Sequence, residues 1–83
     1  MRITSPQMLS QALRDARIQR KLSQQATASQ TGMKQTTVSA FENHPDGTRI
    51  ETLFKLLSAL DLELHLAKRD SEPDKSQGWD QEW

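Results

Sequence analysis

Lys34, Gln35, Thr36 and Ser39 lie within six residues of one another and have side chains suited to reading a hydrogen-bonding surface. Gln35 can present its carbonyl and amide together, the pair that matches the N7 and N6 edge of adenine, and Lys34 can donate to O6 or N7 of guanine. Thr36 brings a methyl for thymine or a hydroxyl for a base or phosphate. Ser39 follows Gln35 by one helical turn and shares its face. Ser23, Gln24 and Thr37 are candidates for holding phosphate, Gln24 because it falls where a helix begins and backbone N–H groups point outward. The same side chains would also make an ordinary solvated face. Their neighbours must therefore decide.

Those neighbours predict a scaffold. Ser23 has the type of an N-cap, and Gln24 to Thr31 allows about two helical turns. Gly32 follows where a helix end wants positive φ. The chain restarts near Lys34, with Val38 and Phe41 three apart on the inner face of a second short helix. Helix, glycine turn and helix with a polar outer face is the helix-turn-helix arrangement.

On small Ala28, the Gly32 turn, Val38, Phe41 and the Phe41-Glu42-Asn43 ending, the chain resembles phage-repressor helix-turn-helix domains. The run from Lys34 to Asp46, the Ser5-Pro6 start, the Leu62 to Leu66 segment and the Glu82-Trp83 end are similar to HipB-type antitoxins. The resemblance implies an autorepressor that binds an inverted-repeat operator in double-stranded DNA as a homodimer. It also implies neutralisation of a HipA-like serine/threonine kinase toxin by complex formation. The alternative is a stand-alone phage-type repressor with no toxin partner. Thr27 and Thr31 depart from the pattern, since the family usually has large aliphatic side chains there; looser packing of that helix is expected.

Length and composition agree with a small DNA-binding body. The 83 residues allow one small domain with a modest core, and mean hydropathy of −0.79 points to extra burial through a partner or a dimer. Absence of cysteine excludes a disulfide framework and suits the cytoplasm. No apolar run approaches a membrane span, and the start lacks the pattern of a secretion signal. The net charge of zero conceals segregation. Residues 1–60 hold eight bases and four acids, whereas residues 70–83 hold one base and five acids. A basic body beside an acidic tail is compatible with nucleic-acid binding by the body.

In chain order, Met1 to Thr4 should form an arm from which Arg2 could touch a phosphate. Ser5 and Pro6 start the first helix. Leu9, Ala12, Leu13 and Ala16 form its buried stripe, and Arg20 and Lys21 complement its dipole at the far end. Arg17 has two readings: a phosphate contact, or an ion pair with Glu42. The repressor resemblance favours the pair. After the His44 to Gly47 turn, Thr48 and Glu51 have capping-box spacing. Ile50, Leu53, Phe54, Leu57 and Leu60 then define the apolar stripe of a fourth helix, with Leu56 beside it. Leu62 to Leu66 alternates apolar and polar residues, as a half-buried strand does. No partner strand is legible elsewhere. Pairing of Leu62, Leu64 and Leu66 with the same segment of a second subunit would satisfy the backbone, against a tail or a longer helix four. The fold expected is thus mainly α: a four-helix helix-turn-helix domain plus one C-terminal β-strand pairing across a dimer two-fold.

A DNA-binding and dimerisation domain over residues 1–67 and an acidic, disordered tail over residues 68–83 follow from the composition. Trp79 and Trp83 stand out in that tail, because tryptophan anchors well in protein pockets. They suggest a partner-docking motif, against an indifferent end or an indole folded back on its own domain. No catalytic set can be assembled: His44 and His65 lack partners at nucleophile or metal-ligand spacing, and no glycine-rich phosphate loop is present. Neither an enzyme nor a cofactor or metal protein is expected.

Overall fold

The computed structural model describes residues 2–69, which form four helices: α1 (Pro6–Gln19), α2 (Gln24–Thr31), α3 (Gln35–Asn43) and α4 (Ile50–Ala59). Trp79, Trp83 and nearly all of the expected tail lie outside the described residues. Helix α1 starts where Ser5 and Pro6 indicate, with the Ser5 hydroxyl accepting from the Met8 N–H at 3.1 Å. Helix α2 starts at the Ser23 cap, whose hydroxyl accepts from the Ala26 N–H at 2.9 Å. Each bond satisfies one of the donors that a helix N-terminus leaves without a partner.

Three helix ends reverse through the left-handed region, and glycine serves only one of them. Gly32 has φ +72°, and the following Met33 N–H returns to the Ala28 carbonyl at 2.9 Å. At the end of α1 it is Lys21 that has φ +58°; its N–H bonds the Ile18 carbonyl at 2.9 Å while Leu22 N–H bonds the Arg17 carbonyl at 3.1 Å. At the end of α4, Asp61 also has φ +58°, with bonds from Asp61 N–H to Ser58 and from Leu62 N–H to Leu57 at 3.1 and 2.8 Å. These two pairs of returning bonds are Schellman closures. The carbonyls they satisfy offset the cost of a left-handed residue that has a Cβ.

The core joins Leu13 of α1, Ala28 of α2, Val38 and Phe41 of α3, and Leu53, Leu56, Leu57 and Leu60 of α4 and its cap. Leu9, Ala16, Leu22 and Met33 pack against this cluster. Helix α2 lies against both α3 and α4, and α1 lies against α3. Thr27 is fully enclosed, with its hydroxyl closed onto the Ser23 carbonyl at 3.0 Å. The polar group is thereby satisfied without leaving the core.

Helix α4 corrects two sequence expectations. Thr48 does not cap it: the cap position is Arg49, without a side-chain bond, and Thr48 N–H instead closes the preceding turn onto the Pro45 carbonyl at 3.1 Å. The helix begins one residue too late for the Thr48–Glu51 box. Its buried stripe also runs through Leu53, Leu56, Leu57 and Leu60, whereas Ile50 and Phe54 are exposed by 67% and 51%. Positions 50 and 54 fall one row to the side of the 53–56–57–60 face, which is the row that meets α2.

Residues 62–66 form no strand ladder within the chain, and Leu62, Leu64 and Leu66 are exposed. Together with Phe54 they line one open apolar cleft beside the end of α4.

Candidate nucleic-acid interface

Helix α3 presents its N-terminal turn and one flank outward. Lys34 occupies the N-cap position with extended backbone, so the helix itself starts at Gln35. Lys34 and Thr36 are exposed, and Gln35, Thr37 and Ser39 are half-buried. Val38 and Phe41 point the other way into the core and fix the rotation of the helix about its axis. The outward face extends beyond the sequence candidates. Ala40 and Asn43 are exposed one turn after Thr36 and Ser39, and the Asn43 amide donates to the Ser39 hydroxyl at 3.2 Å. The four-residue spacing from Ser39 to Asn43 was the available signal for that pair.

Beneath this face runs a continuous chain of polar contacts. The Arg17 guanidinium grips the Glu42 carboxylate with two bonds, Nε to Oε2 at 2.6 Å and Nη2 to Oε1 at 3.1 Å. A third donor, Nη1, holds the Leu22 carbonyl at 2.8 Å. Glu42 Oε1 also accepts from the Gln24 amide at 3.0 Å, and the Gln24 carbonyl oxygen in turn accepts from the Gln35 amide. The Arg17 and Glu42 side chains are only 12% and 6% exposed. Arg17 is thus occupied inside the domain. Arg14, whose Nε lies 3.9 Å from Glu42, is half in solvent and contributes a rim charge of small energetic weight.

This arrangement positions the N-termini of α2 and α3 against each other. Gln24 is the first residue of α2 and Gln35 the first of α3, and their side-chain amides are joined. Gln35 therefore leaves its own carbonyl oxygen and one amide proton for an outside group, in an orientation set by Gln24. Ser23 accepts a capping bond through its oxygen, which leaves the hydroxyl proton able to donate to a phosphate. The linkage of Gln24 to both Glu42 and Gln35 was not legible in the sequence, because the partners are 18 and 11 residues away.

The histidines lie apart from this face. His44 caps the C-terminus of α3 and is exposed; His65 contacts Glu63 at 2.7 Å on the surface. Among the described residues no cluster of histidine and carboxylate groups could hold a metal ion, and no helix is long and apolar enough to cross a membrane.

A helix-turn-helix family model matches residues 13–66, from the second half of α1 through the segment after α4. Antitoxin HipB of Escherichia coli O6:H1 (strain CFT073) is 37% identical over 99% of this chain and 88% of that protein. Antitoxin HipB of Escherichia coli (strain K12) is 36% identical over 99% of this chain and 94% of its own. The chain belongs to the HipB antitoxin family of helix-turn-helix proteins. Solved HipB structures have the same fold as this HipB-family chain. The HipA-HipB-O2-O3 complex matches with TM-score 0.81 at 39% identity, over 83% of this chain and 97% of that one. A HipB-O4 20mer complex matches with TM-score 0.82 at 39% identity and the same coverage. The HipB resemblance seen in Lys34 to Asp46 therefore extends to the whole four-helix body.

Proposed function

We propose that this HipB-family chain is a DNA-binding autorepressor and antitoxin, acting as a dimer on an inverted-repeat operator and restraining a HipA-like kinase toxin by complex formation. The observation that carries the DNA half is the amide-linked pair of helix N-termini, Gln24 on α2 and Gln35 on α3, anchored through Glu42 to Arg17. Lys34, Gln35, Thr36 and Ser39 read bases in the major groove. Ser23, Gln24 and Thr37 hold the phosphate backbone and set the register of α3, since phosphate contacts position the protein and base contacts specify the sequence. Asn43 and Ala40 extend the reading face by a turn.

Dimerisation runs through residues 62–66. Leu62, Leu64 and Leu66, with Phe54 beside them, expose an apolar surface that a single chain leaves in water. Pairing two such segments across a two-fold axis would bury it and satisfy their backbone groups. Two α3 helices would then sit about one DNA turn apart, or a small multiple of it. A cytoplasmic location goes with this action on operator DNA.

The toxin half rests on the near full-length HipB relatives and, separately, on the likeness to a HipB chain solved in a complex with HipA. Trp79 and Trp83 are the candidate docking residues of the acidic tail.

Two measurements test the two halves. Gln35→Ala should weaken operator binding by about 1–3 kcal/mol and relax the preference at one base position, without changing the thermal melt. Operator affinity unchanged by this substitution would mean that α3 is not the reading helix. For the toxin, the intact chain and a form ending at Arg69 are tagged and purified from the native cell. Recovery of a HipA-like kinase with the intact chain is expected, and its loss on truncation assigns the contact to the tail. Operator binding with no stoichiometric protein partner for either form would favour the plain repressor.

A further inference from the structure

We propose that, before a partner takes the tail, Trp79 docks in a groove of its own domain formed by the N-terminal arm and the α3–α4 turn. The groove has a volume of about 510 Å³, and its apolar walls are Ile3, Pro6, Leu9, Phe41, Pro45 and Leu53. Phe41 and Leu53 belong to the buried core, so the floor is a place where core side chains reach an open surface. Asp46 stands at the edge, held by the Gln7 amide at 2.8 Å. An apolar cleft with a carboxylate at its rim suits an indole, which has a large hydrophobic body and one N–H that needs an acceptor.

The path of the chain selects the occupant. Ile3 and Thr4 line this groove and also line a second cavity whose other wall includes Lys68 and Arg69. The described chain therefore ends at the side of the arm that borders the groove. Nine residues separate Arg69 from Trp79, ten steps along the chain and a reach of up to about 33 Å when extended. Because the cavity beside Arg69 and the groove share Ile3 and Thr4, the indole has only the width of the arm to cross. Asp70, Glu72 and Asp74 would pass a stretch that carries Arg2, Lys68 and Arg69, and opposite charges favour that path. Trp83, four residues farther on, remains available to an outside pocket.

This assignment deepens the proposed docking role of the tail, yet its measurement needs no toxin. The two tryptophans of the chain are Trp79 and Trp83, so the full-length W83F protein has Trp79 as its single indole. Its fluorescence should be shifted to the blue, with acrylamide quenching several-fold weaker than in a peptide of residues 70–83. Ile3→Asp places a charge on the groove wall at a side chain outside the core cluster, and should return both readings to the peptide values while the helical melt persists. Thr4→Glu, which puts a carboxylate at the mouth and repels the acidic segment, should act in the same direction if Ile3→Asp compromises folding. Peptide-like emission from W83F would overturn the proposal. So would protection that survives both groove substitutions, since the indole would then rest elsewhere. Protection that disappears on dilution would assign the groove to the tail of another copy and overturn docking within one chain. A toxin that fails to bind the tail, with Trp79 still protected, would leave this docking intact and remove only the partner role.

Discussion

Glu42→Ala is expected to destabilise the domain by about 3–5 kcal/mol, because it strands the Arg17 guanidinium in a site closed to water. Arg17 would keep the Leu22 carbonyl as a partner but lose both carboxylate bonds, and Gln24 would lose the acceptor that holds it. In a domain of this size each kilocalorie lowers Tm by roughly 4–8 °C, so the melt by circular dichroism should move far enough to unfold much of the protein at growth temperature. The loss of operator binding would be a folding defect. Two controls separate the possibilities. A double substitution of Arg17 and Glu42 should cost less than the sum of the two single changes, since each single change leaves one uncompensated charge. Cooling Glu42→Ala below its melt, or adding a stabilising osmolyte, should restore part of the DNA affinity. A stability loss under about 1 kcal/mol would mean that the pair behaves as an exposed one.

Leu64→Asp should have the opposite signature: a folded monomer that no longer binds its operator tightly. Leu64 is 45% exposed and lies outside the core cluster, so the single chain loses little by the change. In the proposed dimer it sits at the middle of the 62–66 segment, where two copies would bring the introduced carboxylates close together. Like charges facing one another across a strand pair oppose association. Without the second recognition helix, affinity should fall toward the non-specific level, a decrease of about 10³-fold or more. Sedimentation and operator retardation on the same sample give both answers. A dimer that persists would move the interface to other exposed apolar residues, with Ile18 and Ile50 next in line.

Much of the body is written in local signals. Ser5 with Pro6, Ser23 and Gly32 mark helix boundaries through bonds made within a few residues, so short-range chemistry suffices to place them. The inward positions Leu13, Val38 and Phe41 follow from helical spacing, and small Ala28 from the repressor resemblance. Signals failed where two local solutions compete. Lys21 and Asp61 adopt left-handed turns without glycine, because the returning hydrogen bonds and the burial of Leu22 outweigh propensity. Thr48 and Glu51 match a capping box by spacing, yet the turn from Pro45 uses the Thr48 N–H first. Ile50 and Phe54 look like core by spacing, but only one row of α4 faces α2.

The helix-turn-helix and its polar outer face were legible before folding, because they depend on caps, a glycine turn and spacing within short local segments. The sequence also brought Arg17 and Glu42 forward as partners through family resemblance. Tertiary structure alone decided how that pair is used. Packing of α1, α2 and α3 brings Arg17, Leu22, Gln24, Glu42 and Gln35 into one hydrogen-bonded chain across 18 residues of sequence or more at its longest links. Such convergence depends on how three helices cross, and crossing geometry leaves no pattern in the order of the residues.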